Sequence, residues 1–130
     1  MKLSRFNTTD RANAGVKMHL KDLRTGEPTV ASIMLLGMDS DEFASIQDDR
    51  KRMFADRAAA GLPDLTRIER DELNCDMLAR CTKRWDDLDA DDDTPLAFSQ
   101  EAARTLYKEY PAIREQVNIF IAGRANFVLA

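Results

Sequence analysis

Apolar and polar side chains first alternate regularly at Val16. Val16, Met18 and Leu20 alternate with Lys17, His19 and Lys21, the period of two expected of a strand with one buried face. Asp22 to Pro28 reads DLRTGEP, a turn built around Gly26 and Pro28, and the run TVASIMLLG from Thr29 to Gly37 supplies the return strand of a hairpin. That run is apolar on both faces, so it needs cover from helices or a partner that a lone two-stranded ribbon cannot give. Residues 1–15 are polar and without period, which predicts a flexible N-terminal arm that orders only against something else.

Helical spacing takes over at Asp39. Asp39 or Ser40 is placed to cap a helix with acids in its first turn, bases toward its end and Gly61 as its stop. Phe43, Ile46, Met53 and Phe54 give this helix a narrow apolar stripe, while its QDDRKR face interleaves opposite charges and reads as solvated. After Leu62-Pro63-Asp64, Thr66 and Glu69 stand at capping-box spacing for a central second helix reaching Trp85, with Ile68, Leu73, Cys75, Met77, Leu78 and Cys81 on its broad apolar side. Ser99 caps a third helix with Ala103, Leu106, Tyr107 and Tyr110 on its apolar side. Pro111 opens a fourth, presenting Ile113, Val117, Phe120, Ile121 and Ala125, although Gly123 weakens its end. The predicted fold class is α+β: an N-terminal β-hairpin followed by about four packed α-helices, with strands confined to the first 38 residues. The arm of residues 1–15 precedes one domain over 16–130, divided into hairpin 16–37 and helical part 39–127, with an acidic loop at 86–94.

Composition narrows the function classes. At 130 residues, 44% hydrophobic and 32% charged, the chain fits one domain with a single core and excludes a two-domain enzyme. No window approaches the roughly 18 unbroken apolar residues of a membrane span, and MKLSRFNTTDR lacks the apolar stretch of a secretory signal, so a cytoplasmic protein with no membrane partner is expected. The excess of 23 acidic over 19 basic residues, a net charge of −4, argues against nucleic acid as a partner. Cys75 and Cys81 lie six residues apart on one predicted helix, too far for a mutual disulfide. With His19 the one histidine, structural zinc lacks its usual four Cys or His ligands. The cysteines read as core hydrophobes, and no metal or cofactor site is expected.

The most unusual segment is DDLDADDD from Asp86 to Asp93, six aspartates without a base, where like-charge repulsion disfavours helix and predicts an extended loop. Asp87, Asp89 and Asp91 match the first three ligand positions of an EF-hand loop, but Asp92 stands where the turn needs Gly and Phe98 where a bidentate Glu is needed. Two readings remain: a solvated linker, or a lure that draws a basic segment of a partner through Asp87, Asp89, Asp91, Asp92 and Asp93. The flanking Trp85, Leu88, Leu96 and Phe98 either pin the loop onto the domain's own core or line a partner groove. No nucleophile elbow, phosphate-binding glycine loop or HExxH is present, and His19 has no positioned partner in any motif. No catalytic residue is assigned, and an enzyme is not expected.

The order of these features resembles the tail assembly chaperones of long-tailed bacteriophages. The residues that carry the resemblance are Trp85, Asp86, Pro95, Leu96, Phe98, Ser99, Pro111 and Asn126-Phe127, about the last third of the chain, supported by the hairpin and by Asp39-Ser40. The resemblance implies a protein of the host cytoplasm made during virion assembly. Such a protein binds the long helical tape measure protein, keeps it soluble, helps recruit tail tube subunits and is absent from the mature virion. It implies no catalysis, and it would make this chain the shorter product of a frameshifted pair. The loop here has no glycine between Trp85 and Pro95, where family loops commonly carry one. The competing classes are a permanent structural subunit of the tail or connector, and a small adaptor bound to one folded protein. The free edge of the hairpin also offers a route to self-association.

Overall fold

A computed structural model describes residues 1–128; the last two residues of the domain expected over 16–130 lie outside them. The fold is α+β, with an N-terminal hairpin of β1 (Val16–Lys21) and β2 (Pro28–Leu35) followed by helices α2 (Asp41–Ala59), α3 (Arg67–Arg80), α4 (Gln100–Glu109) and α5 (Pro111–Ala122). The turn between the strands forms as its residues dictate. Asp22 Oδ1 accepts from the backbone N–H groups of Arg24 and Thr25 at 2.8 and 3.2 Å, and Gly26 takes a positive φ of 73°. Met18 and Leu20 are buried and Lys17, His19 and Lys21 exposed, as alternation requires.

Strands are not confined to the first 38 residues. A third strand, β3 (Thr82–Asp86), pairs antiparallel with β2 and gives the sheet order β1-β2-β3. β2 is therefore the central strand, with Ile33 paired to Met18 on one side and to Trp85 on the other. The helix expected to reach Trp85 therefore ends at Arg80, because Cys81 takes the C-cap and the chain turns into the sheet. The start of that helix is as expected. Thr66 Oγ1 accepts from Glu69 N at 3.2 Å, and Glu69 Oε1 accepts from Thr66 N at 3.0 Å.

Residues 1–15 also depart from the expectation of a flexible arm. Thr9–Ala14 form a short helix, α1, with Ala12 buried. Gly37 permits this close approach: a Cβ there would fall 2.9 Å from Ala12 Cβ and 3.0 Å from the Phe127 ring. Asp39 joins three segments, accepting from Thr8 Oγ1 at 2.6 Å and from Arg124 Nε and Nη2 at 2.8 and 3.0 Å. Ser40, not Asp39, caps α2, its Oγ accepting from Phe43 N at 3.2 Å.

The core lies between the sheet and helices α3, α4 and α5, where Ile33, Leu35, Leu78, Tyr107 and Val117 are fully buried. The Tyr107 hydroxyl sits 2.7 Å from Thr82 Oγ1, which donates to Leu78 O at 2.7 Å, so a buried polar pair links α4, β3 and α3. Both cysteines are free and buried, and burial pushes the Cys81 thiol up to about 12. Four residues placed on apolar faces by sequence spacing lie outside the core. Ile68 is largely exposed, Phe54 and Tyr110 are about half exposed, and Ala125 is exposed in the turn Arg124–Phe127 after α5 ends at Ala122.

Candidate functional site

The acidic segment is a tight ribbon, not an extended loop. Leu96 N donates to Leu88 O at 2.8 Å, Ala90 N to Thr94 O at 2.9 Å and Asp93 N to Ala90 O at 2.9 Å, with Asp89 bridged to Pro95. This is a three-residue hairpin loop whose last residue takes the left-handed conformation usually given to glycine. Asp93 fills that place with φ 65°, and Asp87 turns the chain out of β3 with φ 57°. Aspartate tolerates this conformation better than most residues. The structure thus supplies two left-handed positions in a segment that has no glycine.

The six aspartates divide by use. Asp86 faces Lys17 Nζ at 3.5 Å and Arg84 Nε at 3.7 Å, which ties the end of β3 to β1. Asp92 Oδ1 accepts from Thr94 Oγ1 at 2.6 Å and Thr94 N at 3.2 Å, and these bonds hold its carboxyl below the usual range. Among the described residues, the side chains of Asp87, Asp89, Asp91 and Asp93 have no hydrogen-bond or ion-pair partner. The flanking apolar residues divide as well. Trp85 is 7% exposed, donates its indole N–H to Leu96 O at 2.7 Å and meets Phe98 edge to face at 4.9 Å. Trp85 and Phe98 therefore pin the ribbon to the core.

Leu88 and Leu96 reach beyond this anchor. Between the ribbon, α4 and the first turn of α5 lies a groove of about 700 Å³ with Leu88, Leu96, Leu106 and Ile113 on its floor. Asp89, Asp91, Glu101 and Glu109 stand along it, and no Lys, Arg or His lines it. Of the nine residues that the sequence nominates, the groove gathers Leu88, Leu96, Asp89 and Asp91. Trp85 and Phe98 lie behind it, and Asp87, Asp92 and Asp93 do not line it. Sequence reasoning missed Glu101 and Glu109, although the signal was present: Glu101, Thr105 and Glu109 stand four apart beside the row Ala102, Leu106 and Tyr110. These rows place acids along one side of an apolar stripe.

Comparison with models of protein families, with curated proteins and with solved structures finds no match to this chain. The groove's own chemistry therefore carries the functional argument. An apolar floor gains free energy by covering apolar side chains, at about 25 cal/mol per Å² removed from water. Four carboxylates along a groove that no base lines favour a cationic occupant and repel an acidic one. A polypeptide segment with a Leu-, Ile- or Val-rich stripe flanked by Lys or Arg would meet both conditions.

His19 is far simpler. It lies on the exposed side of β1, with Nδ1 3.1 Å from Thr29 O. A second groove of about 540 Å³ runs between the hairpin turn and α5 and includes Met18, Leu23, Ile119 and Phe120, with charges of both signs along it. The hairpin has less free edge than the sequence suggests. β3 occupies one side of β2, and on β1 the Gln116 side chain pairs with Lys21 backbone N and O at 2.8 and 3.1 Å.

Proposed function

We propose that this chain is a tail assembly chaperone of a long-tailed bacteriophage, acting in the host cytoplasm by binding the tape measure protein. The observation that carries this reading is the groove with an apolar floor and an acidic rim. A tape measure protein is a long array of amphipathic helices whose apolar stripes aggregate when left uncovered. Leu88, Leu96, Leu106 and Ile113 would cover such a stripe, and Asp89, Asp91, Glu101 and Glu109 would select positions where it is flanked by bases. Recruitment of tail tube subunits and departure from the finished virion complete the role. No bond-making step, metal or cofactor enters it.

The residues that carry the resemblance lie at the ends and anchors of the elements around the groove. Ser99 caps α4, Pro111 opens α5, Trp85 and Phe98 anchor the ribbon, and Phe127 packs edge to face on Phe120 at 5.5 Å. Each organises the helices that carry the groove. Among the described residues no helix is long and apolar enough to cross a membrane.

Co-expression with the tape measure protein tests the proposal. The soluble fraction of that protein should rise with this chain and fall back when Asp89, Asp91, Glu101 and Glu109 are all neutralised. Equal solubility with and without the chain removes the chaperone role. Recovery of the chain at fixed copy number from purified virions favours instead a permanent subunit of the tail or connector.

A further inference from the structure

Residues 1–6, MKLSRF, display side chains that nothing in the domain covers. Leu3–Phe6 form a single turn with no buried residue, and Met1, Leu3 and Phe6 are 96%, 86% and 67% exposed. The segment also holds Lys2 and Arg5 and no acid. Three uncovered apolar side chains alternate with bases in a chain that is acidic overall. That chemistry complements the apolar and acidic lining of the groove.

The body of the molecule fixes where this segment starts. Ala12 O accepts from Gly37 N, Thr8 donates to Asp39, Asn13 accepts from Asp41 N, and Ala14 O accepts from Lys83 Nζ. None of Gly37, Asp39, Asp41 or Lys83 lines the groove. α1 rests against Phe127, past the C-terminal end of α5, whereas the groove meets α5 at Ile113 in its first turn. Ile113 and Ile121 alone are separated by about 12 Å of helix rise. Segment and groove thus sit toward opposite ends of α5, an arrangement that suits contact between copies better than contact within one.

We propose that residues 1–6 of one copy occupy the acidic-rimmed groove of a second copy, so that the chain self-associates head to tail until a basic amphipathic partner displaces the segment. Met1, Leu3 and Phe6 would meet the apolar floor, while Lys2 and Arg5 face Asp89, Asp91, Glu101 and Glu109. The contact is heterologous, because segment and groove are different surfaces, so each added copy leaves one of each free for the next. Such an array supplies several copies along one filamentous partner. The inference rests on the reading of the groove as a site for basic amphipathic segments, and it assigns that site a second, competing occupant.

Sedimentation of the purified full chain across about a hundredfold range of concentration tests it. The average mass should rise with concentration and fall with added salt. Lys2→Glu/Arg5→Glu should weaken association by about tenfold or more, as should Glu101→Lys/Glu109→Lys, and mixing the two variants should restore it through the swapped charges. All of these residues are exposed, so circular dichroism should report an unchanged fold. A monomer at every concentration overturns the proposal, as does association that both variants leave intact, or protection of residues 1–6 in a monomer. Two peptide probes separate this inference from the reading beneath it: residues 1–8 of this chain, and an 18-residue amphipathic helix of Leu and Lys. Binding of the Leu/Lys helix alone keeps the groove reading and rejects self-association, whereas binding of neither rejects both.

Discussion

Asp39 and the carboxylates of the groove are the same kind of group put to opposite uses. Asp39 has a side chain only 22% exposed and takes hydrogen bonds from Arg124 and Thr8, which hold its carboxyl below the usual aspartate range. Through them it ties the N-terminal segment, the start of α2 and the closing turn into one unit. Asp89, Asp91, Glu101 and Glu109 form no ion pair among the described residues, yet they stand beside an apolar floor. Like charges gathered beside exposed apolar surface oppose folding slightly and solve no packing problem. Asp39 thus has an architectural task, joined to basic and hydroxyl partners, whereas Asp89, Asp91, Glu101 and Glu109 line a groove without such partners.

Removing the anchor behind the groove should have the largest effect. Trp85→Ala deletes the indole that bonds Leu96 O and packs on Phe98, and urea unfolding should record a loss of about 3–5 kcal/mol. The fourfold variant Asp89→Asn, Asp91→Asn, Glu101→Gln, Glu109→Gln should shift stability by no more than about 0.5 kcal/mol. If that variant unfolds the protein, the distinction between structural and available acids collapses.

Gly37→Val probes the other side of the comparison. Its new side chain must displace Ala12 or Phe127, at a cost of about 1–3 kcal/mol. Hydrogen exchange at the Ala12 amide, which donates to Thr8 O, should accelerate as α1 leaves. Unchanged protection there would show that α1 is held by something other than this contact.

Acid should act on the same hub with a definite sign. The folded pKa of Asp39 lies below its unfolded value, so its contribution is fully present above about pH 4 and is lost as pH falls through the folded value. Proteolysis within residues 1–15 should therefore increase in that window. Asp39→Asn should expose the segment already at neutral pH and flatten the profile, whereas the fourfold rim variant should keep it. The smallest effect belongs to salt: neutralising the rim should slow association with the Leu/Lys helix at low ionic strength and change little at high.

What the sequence made legible follows the range of the interactions. The hairpin, its turn and the caps at Thr66-Glu69 and Ser99 depend on residues a few positions apart, and all are present. β3 was hidden because its buried residues, Thr82 and Trp85, stand three apart, a helical spacing that breaks strand alternation and is accommodated by a register shift in the pairing with β2. α1 was illegible because its docking needs one small residue, Ala12, against a glycine 25 positions later. Half the groove was legible from Leu88, Asp89, Asp91 and Leu96. The other half required α4 to lie beside the ribbon, a relation set by the Trp85 and Phe98 anchor and not by local pattern.

Chemical-shift mapping of the Leu/Lys helix on the purified chain locates the surface that takes a basic amphipathic segment. The account predicts a saturable perturbation centred on the amides of Leu88, Leu96, Leu106 and Ile113, weakened by salt and by the fourfold rim variant while the fold is retained. Perturbation centred on the hairpin–α5 groove, or no perturbation at saturating peptide, would contradict it.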